Sequence, residues 1–335
     1  MDQYRIFQRA LSEVNGQNFE NIALELYRYQ VANNPVYRSY ITHLGRGVRS
    51  FSQIPFLPIN FFKSHHVVSD RWTPETIFTS SGTSGTTTSR HAVRDVGFYL
   101  HHAEQIFTAT YGPLRNFHVL ALLPSYLERK GSSLVAMADH FIRQSASPHS
   151  GFYLNDHDAL IRKIDGLKKP EKGMKSRRIL LLGVTFALRE LAEHYEIDLS
   201  GSVVMETGGM KGRGPEIVRE ELHYYLCRRW NISVVHAEYG MTELLSQAYS
   251  TGGGKFHPSR GMKIIVRDLH DPFNVERPGK TGGINVVDLA NIDSCAFIET
   301  EDLGRINQDG SFEVLGRMDN SDVRGCNLLV GEAIG

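Results

Sequence analysis

Phe78-Thr79-Ser80-Ser81-Gly82-Thr83-Ser84-Gly85-Thr86-Thr87-Thr88 is the stretch from which the rest of the chain can be read. From Thr79 to Thr88 every residue is Thr, Ser or Gly. The run has no large apolar side chain to build a core strand, and its hydroxyls compete with the backbone for hydrogen bonds. What it offers is a dense set of N–H and O–H donors. Glycine lets the backbone curl so that several N–H groups converge on an anion. The β-branched entry Thr76-Ile77-Phe78 reads as a strand leading in. A polyphosphate suits such a loop, and a hydroxyl-rich linker between domains has the same composition. No Gly-Lys-Ser/Thr ending follows, so this is not the P-loop of the common NTPases.

Working outward, residues 95–110 repeat apolar side chains at helical spacing. Phe117 to Leu123 is a continuous apolar run stopped by Pro124, which predicts a buried strand. Ser132–Arg143 and Phe186–Tyr195 read as helices, as does the segment from Pro215 to about Arg229. Ile179–Leu182, Val203–Met205 and Ser233–His236 read as strands. This alternation predicts βαβ units and a mainly parallel sheet.

From about residue 262 the texture changes. Lys263–Arg267, Gly283–Val287, Ala296–Thr300 and Phe312–Leu315 are short strands between Gly, Pro, Asn and Asp turns. They predict a small antiparallel sheet or barrel. The expected fold class is therefore α/β, with mainly parallel sheets, flanking helices and a small antiparallel β subdomain near the C-terminus. Residues 1–260 form the expected body, and 261–335 the small subdomain and tail.

Ahead of the loop, residues 18–31 predict an amphipathic helix ended by Asn33-Asn34-Pro35. A second helix carries Tyr37, Tyr40 and Ile41. Ile54-Pro55-Phe56-Leu57-Pro58-Ile59 is apolar but holds two prolines, so it reads as an extended buried connection rather than a ladder strand.

Lys plus Arg and Asp plus Glu are 37 each, so no global field or charge run points to nucleic acid or a polybasic membrane patch. Cys227, Cys295 and Cys326 are far apart and form no C-x-x-C, which argues against a disulfide framework or zinc site and for a reducing cytoplasm. The N-terminus shows no signal-peptide pattern, and no apolar run is long enough to span a membrane. His65-His66 and His101-His102 lack metal-ligand spacing.

Ligands of an open parallel sheet bind outside the carboxyl ends of its strands. By this reading three polar clusters fall there: the hydroxyl-rich loop, Thr207-Gly208-Gly209-Met210-Lys211, and Tyr239-Gly240-Met241-Thr242-Glu243. Thr300-Glu301-Asp302 and Gly316-Arg317-Met318-Asp319 follow strands of the small sheet. Singly, each also reads as a turn, a helix start or a solvated charge. Their order is more specific. Together they resemble the motif set of adenylate-forming enzymes: acyl-CoA synthetases, luciferases and peptide-synthetase adenylation domains. Ile54-Pro55-Phe56-Leu57-Pro58-Ile59 with Phe62-Lys63 is similar to the phenylacetate-CoA ligase branch, and particularly to the LuxE-type acyl-protein synthetases.

The resemblance implies roles. Ser80, Ser81, Gly82, Thr83, Ser84 and Gly85 would hold the β- and γ-phosphates of ATP. Gly208, Gly209 and Met210 would border the adenine, and Tyr239 would stack on it or line it. Gly240 and Met241 would lie near the acyl-adenylate. Thr242 would contact the α-phosphate, and Glu243 would bind Mg²⁺. Asp302 would take the ribose hydroxyls, and Arg317 the ribose or a phosphate. Larger relatives often carry a lysine shortly after the loop's last glycine; here Thr86, Thr87 and Thr88 occupy that region, and Arg90 is the first cation and a candidate replacement.

Those relatives continue past the arginine–aspartate motif into a mobile C-terminal domain, whereas this sequence has only 18 residues after Arg317. Either the sequence is a fragment of such a protein, or it belongs to the short acyl-protein synthetases, which load a cysteine of their own near the C-terminus and are the expected branch. Cys326, in Arg324-Gly325-Cys326, is the candidate acceptor; a small buried thiol is the alternative.

The expectation is activation of a carboxylic acid, a fatty acid foremost, to acyl-AMP and its transfer to Cys326. An acyl reductase or acyl-carrier protein would then be the partner. The alternatives are a ligase or acyltransferase acting on coenzyme A or another small acceptor, and an inactive nucleotide-binding subunit. Phe98, Tyr99, His118, Tyr126, Phe152, Thr185 and Phe186 either line an acyl tunnel or fill the core, and core is the safer expectation.

Overall fold

The computed structural model describes residues 2–80, 87–124, 131–154, 156–168, 177–208 and 219–318. One mixed sheet runs through these residues. From one edge come Gly151–Phe152, Phe117–Leu122, Arg178–Val184, Val203–Thr207 and His236–Tyr239, all parallel. Ala248–Ser250, Lys255–Pro258, Phe312–Arg317, Phe297–Ile306, Thr281–Asp288 and Met262–Arg267 follow, each antiparallel to its neighbour. The fold class is thus the α/β architecture the sequence predicts. The antiparallel strands join the parallel ones where Ala248–Ser250 pairs with His236–Tyr239. Thr76–Thr79 and Arg90–Val93 form a separate antiparallel hairpin that carries the hydroxyl-rich loop.

The parallel strands form where apolar runs are buried on both faces, as from Ile179 to Leu182. Helix Ser133–Ser145 packs on Phe117–Leu122, and helix Thr185–His194 packs on the next two strands. Ser132 and Asp95 cap their helices by accepting from the backbone N–H three residues on. The stop expected at Asn33-Asn34-Pro35 is a junction. One helix ends at Asn33, Asn34 Oδ1 accepts from Val36 N and Tyr37 N, and Pro35 opens the helix Pro35–Leu44.

Three local expectations are corrected. The fourth parallel strand is His236–Tyr239, three residues beyond the predicted Ser233–His236. Val234-Val235 supplies the apolar signal, but the ladder is set by the pairing of Met205 with His236 and Thr207 with Glu238. The segment around Leu57-Pro58 does enter a ladder. Leu57 and Pro58 pair in parallel with Ile298 and Glu299, and Ile59 N donates to Glu299 O at 2.9 Å. Pro58 has no N–H, which keeps this addition to two residues at a sheet edge. The helices Gln3–Ser12 and His157–Leu167 and the strand Arg90–Val93 were not predicted.

The N-terminal helices are fastened by buried amides to the connection between strands Thr281–Asp288 and Phe297–Ile306. Gln30 Nε2 donates to Asn291 O at 2.7 Å and Ile292 O at 3.1 Å, while its Oε1 accepts from Ala296 N at 3.0 Å. Asn34 Nδ2 donates to Ser294 O at 3.0 Å. Phe297 sits among the rings of Tyr27, Tyr37 and Phe56. Among the described residues no helix is long and apolar enough to cross a membrane.

Candidate active site

Val203–Thr207 runs into Gly208, in the left-handed region at φ 69°. His236–Tyr239 runs into Gly240, Met241, Thr242 and Glu243. Thr207 Oγ1 donates to Glu238 Oε2 across these two strands. A Cβ on Gly240 would fall on the other oxygen of the same carboxylate, so a larger residue there would push the Glu238 carboxylate aside. Thr185 Oγ1 donates to Gly208 O at 3.1 Å. Beside it, Arg219 Nε lies 2.8 Å and His223 Nε2 3.1 Å from Glu206 Oε1. Burial pushes the Glu206 carboxyl up, but His223 and Arg219 outweigh it and hold it below its ordinary value.

The Thr242–Glu243 loop is gripped by its backbone. His91 Nδ1 donates to Thr242 O at 2.8 Å, and Asn291 Nδ2 donates to Glu243 O at 2.8 Å. Asp288 accepts from Leu245 N at 2.8 Å, Ser246 N at 2.9 Å and Ser246 Oγ at 2.6 Å. Every one of these side chains is buried.

Glu243 is 5 % exposed. Burial pushes its carboxyl up, and a hydrogen bond from Ser89 with the charges of Arg317 and Lys63 pulls the other way. Ser89 is also the partner of Ser80. Ser80 N donates to Ser89 O at 3.1 Å, and Ser89 N donates to Ser80 Oγ at 2.9 Å. The mouth of the hydroxyl-rich loop therefore lies against Glu243. Arg90 stands opposite Thr79 at that mouth.

Asp302 and Arg317 are cross-strand partners, with Nε 3.7 Å from Oδ1. Tyr239 Oη donates to the other oxygen, Oδ2, at 2.8 Å, and its ring packs on Phe256 and Phe312. Burial raises both Tyr239 and Asp302 above their ordinary values. Arg317 also approaches Glu301, whose Oε1 accepts from Asn60 Nδ2 at 2.5 Å.

The structure thus brings together Ser80, Gly208, Tyr239, Gly240, Met241, Thr242, Glu243, Asp302 and Arg317. Ser81, Gly82, Thr83, Ser84, Gly85, Gly209, Met210 and Cys326 lie outside the described residues. Of the acyl-tunnel candidates, Tyr99 is core, with its hydroxyl on Ser133 O at 3.0 Å. His118 is tied to Ser147 Oγ at 2.7 Å, and Tyr126 is outside the described residues. Burial pushes the Cys295 thiol to about 12 and raises that of Cys227, so neither is a poised nucleophile.

His91, Asp288, Asn291 and Glu238 were missed by sequence reasoning. No motif marks them, and His91 meets its partner Thr242 151 residues further on.

Among the described residues no group of three or more His, Cys, Asp or Glu could hold a metal by itself. Glu243 would supply one hard-oxygen ligand. Mg²⁺ is commonly held by one or two carboxylates together with substrate phosphates, so this donor set fits a metal that arrives with a nucleotide.

No protein-family model matches the chain. No curated protein matches it either. Solved structures do. An open conformation of 2-hydroxyisobutyryl-CoA ligase, in complex with 2-HIB-AMP and CoA, superposes with a TM-score of 0.64 at 13% identity over 88% of this chain and 73% of that one. ATP-bound MatB from Rhodopseudomonas palustris gives 0.53 at 18% identity over 74% of this chain and 49% of that one. O-succinylbenzoate coenzyme A synthetase (MenE) from Bacillus subtilis, with ATP and magnesium, gives 0.53 at 17% identity over 72% and 50%. The fold is shared with CoA ligases. At such identities the likeness is one of fold. The chain spans about half the length of the MatB and MenE structures, 49% and 50%.

Proposed function

We propose that this protein is an ATP-dependent ligase that activates a carboxylic acid as acyl-AMP and passes the acyl group to the thiol of Cys326. One observation carries the adenylation step. Thr242, Glu243, Asp302, Arg317 and the mouth of the hydroxyl-rich loop converge beside the ends of parallel strands, in a fold shared with structures that hold ATP or an acyl-adenylate.

In the proposed step an oxygen of the acid attacks the α-phosphorus of ATP. The bond from that phosphorus to the bridging oxygen breaks, and pyrophosphate leaves with the electron pair. The hydroxyl-rich loop holds the leaving phosphates by N–H and O–H donors. Thr242 contacts the α-phosphate, Asp302 accepts from ribose hydroxyls, and Arg317 offsets charge on the nucleotide. Mg²⁺, when bound at Glu243, neutralises phosphate charge. The thiolate of Cys326 then attacks the acyl carbon, and AMP leaves as the thioester forms. The raised Cys295 and Cys227 thiols favour the third cysteine for this role. A fatty acid as substrate and an acyl reductase or carrier protein as partner complete the proposal.

Coenzyme A as acceptor is the second reading, favoured by the neighbour that holds CoA and covers 88% of this chain. ATP–pyrophosphate exchange over a panel of carboxylic acids tests the adenylation step: exchange with at least one acid is expected, and none with any acid ends the ligase reading. A hydroxylamine-labile acyl label on wild type, absent from Cys326→Ser, is expected. Equal labelling of both hands the acceptor role to another group.

A further inference from the structure

His91 is buried on the hairpin strand that returns from the hydroxyl-rich loop, directly opposite Phe78. Both ring nitrogens are engaged. Nδ1 lies 2.8 Å from Thr242 O, which can only accept, so Nδ1 carries the proton. Nε2 lies 3.0 Å from Ser294 Oγ, and in the neutral ring it accepts from that hydroxyl. Burial holds His91 down at about 4, so the ring is neutral under ordinary conditions. Phe62 packs edge-on against the imidazole, its centroid at 5.7 Å. Ser294 is itself anchored: its carbonyl accepts from Ser69 Oγ at 2.7 Å and Asn34 Nδ2 at 3.0 Å. The ring is therefore fixed in tautomer, tilt and position.

We propose that His91 is a positioning residue for adenylation, a two-sided clamp that sets the Thr242 carbonyl and ties the hairpin bearing the hydroxyl-rich loop to the Thr242–Glu243 loop. The inference rests on the adenylation reading and adds to it. The groups meant for the leaving phosphates and those meant for the α-phosphate sit on two elements 151 residues apart in sequence at this contact. In-line displacement needs both at one spacing, and His91 joins the two through a single ring.

The two nitrogens can be tested apart. In His91→Asn the side-chain amide nitrogen takes the place of Nδ1 and keeps the donor to Thr242. In His91→Gln it takes the place of Nε2 and leaves Thr242 O without it. His91→Gln is expected to lower kcat for acid-dependent pyrophosphate exchange about 10²-fold, with the KM for ATP little changed. His91→Asn is expected to keep most of kcat. Hydrogen exchange gives a readout that needs no activity: amides of residues 240–246 exchange faster in His91→Gln than in His91→Asn or wild type. The clamp is overturned if the two variants lose kcat equally and in step with melting temperature, or if exchange in that segment does not distinguish them. A wild-type protein inactive with every acid would end the adenylation reading, while hydrogen exchange would still decide the clamp.

Discussion

Two walls of the candidate site are held in opposite ways. The Thr242–Glu243 loop is gripped from behind by buried side chains that hydrogen-bond its backbone. In the Asp302–Arg317 wall the carboxylate is held by Tyr239, but the arginine is held only by charges at the rim, with its side chain 73% exposed and its closest acidic contacts at 3.5 and 3.7 Å. A buried, fully partnered polar network fixes a geometry and is costly to disturb. An exposed ion pair of that length contributes little and weakens with salt. The first wall is built to hold one spacing, the second to adjust around a charged ligand.

The largest break in this contrast is expected at the gripped loop. Glu243→Gln should lower acid-dependent pyrophosphate exchange by about 10²–10³-fold. Its effect on melting temperature should be small, because burial already disfavours the charged carboxyl. A variant that unfolds while the remaining folded fraction is fully active would place Glu243 in the scaffold instead.

An intermediate effect is expected behind that loop, at Asp293. Burial raises its carboxyl from 3.8 to about 7, against the opposing pull of Arg94, whose Nη1 is 3.6 Å away. A folded-state value above the unfolded one means that the folded protein binds the extra proton between about pH 4 and 7. Stability from this group is thus full below pH 4 and is lost as pH rises to about 7. Asp293→Asn removes the loss. Its stability advantage over wild type should be small at pH 4 and reach roughly 4 kcal/mol at pH 8. A difference independent of pH in paired denaturation curves would refute the assignment.

The smallest effect belongs to the rim. Arg317→Ala should cost less than about 1 kcal/mol of stability, and less again at high salt. It should still weaken ATP binding measured by titration calorimetry. A large salt-independent loss of stability would erase the distinction between the walls.

The apolar runs Phe117–Leu122 and Ile179–Leu182 are legible because a strand buried on both faces must be continuously apolar. His236–Tyr239 was placed three residues early because its pairing carries Glu238 and His236, residues that follow no apolar pattern. The motif-bearing side chains could be named from their order along the chain. Their supports could not. Asp288, Asn291 and His91 act through backbone atoms of a distant loop, and a backbone carbonyl leaves no mark in a sequence.

The pairing of Leu57 and Pro58 with Ile298 and Glu299, together with Gln30 on the backbone of residues 291–296, bears on how the chain is made. On the ribosome the first sixty residues emerge long before the strand that completes them. The apolar side chains of helix Phe19–Asn33 and of the proline-broken segment must wait until about residue 300 has left the exit tunnel. Contacts across such separations close late and leave hydrophobic surface open meanwhile. A chain released before residue 290 would leave Gln30 without its backbone partners and Tyr27 and Tyr37 without Phe297.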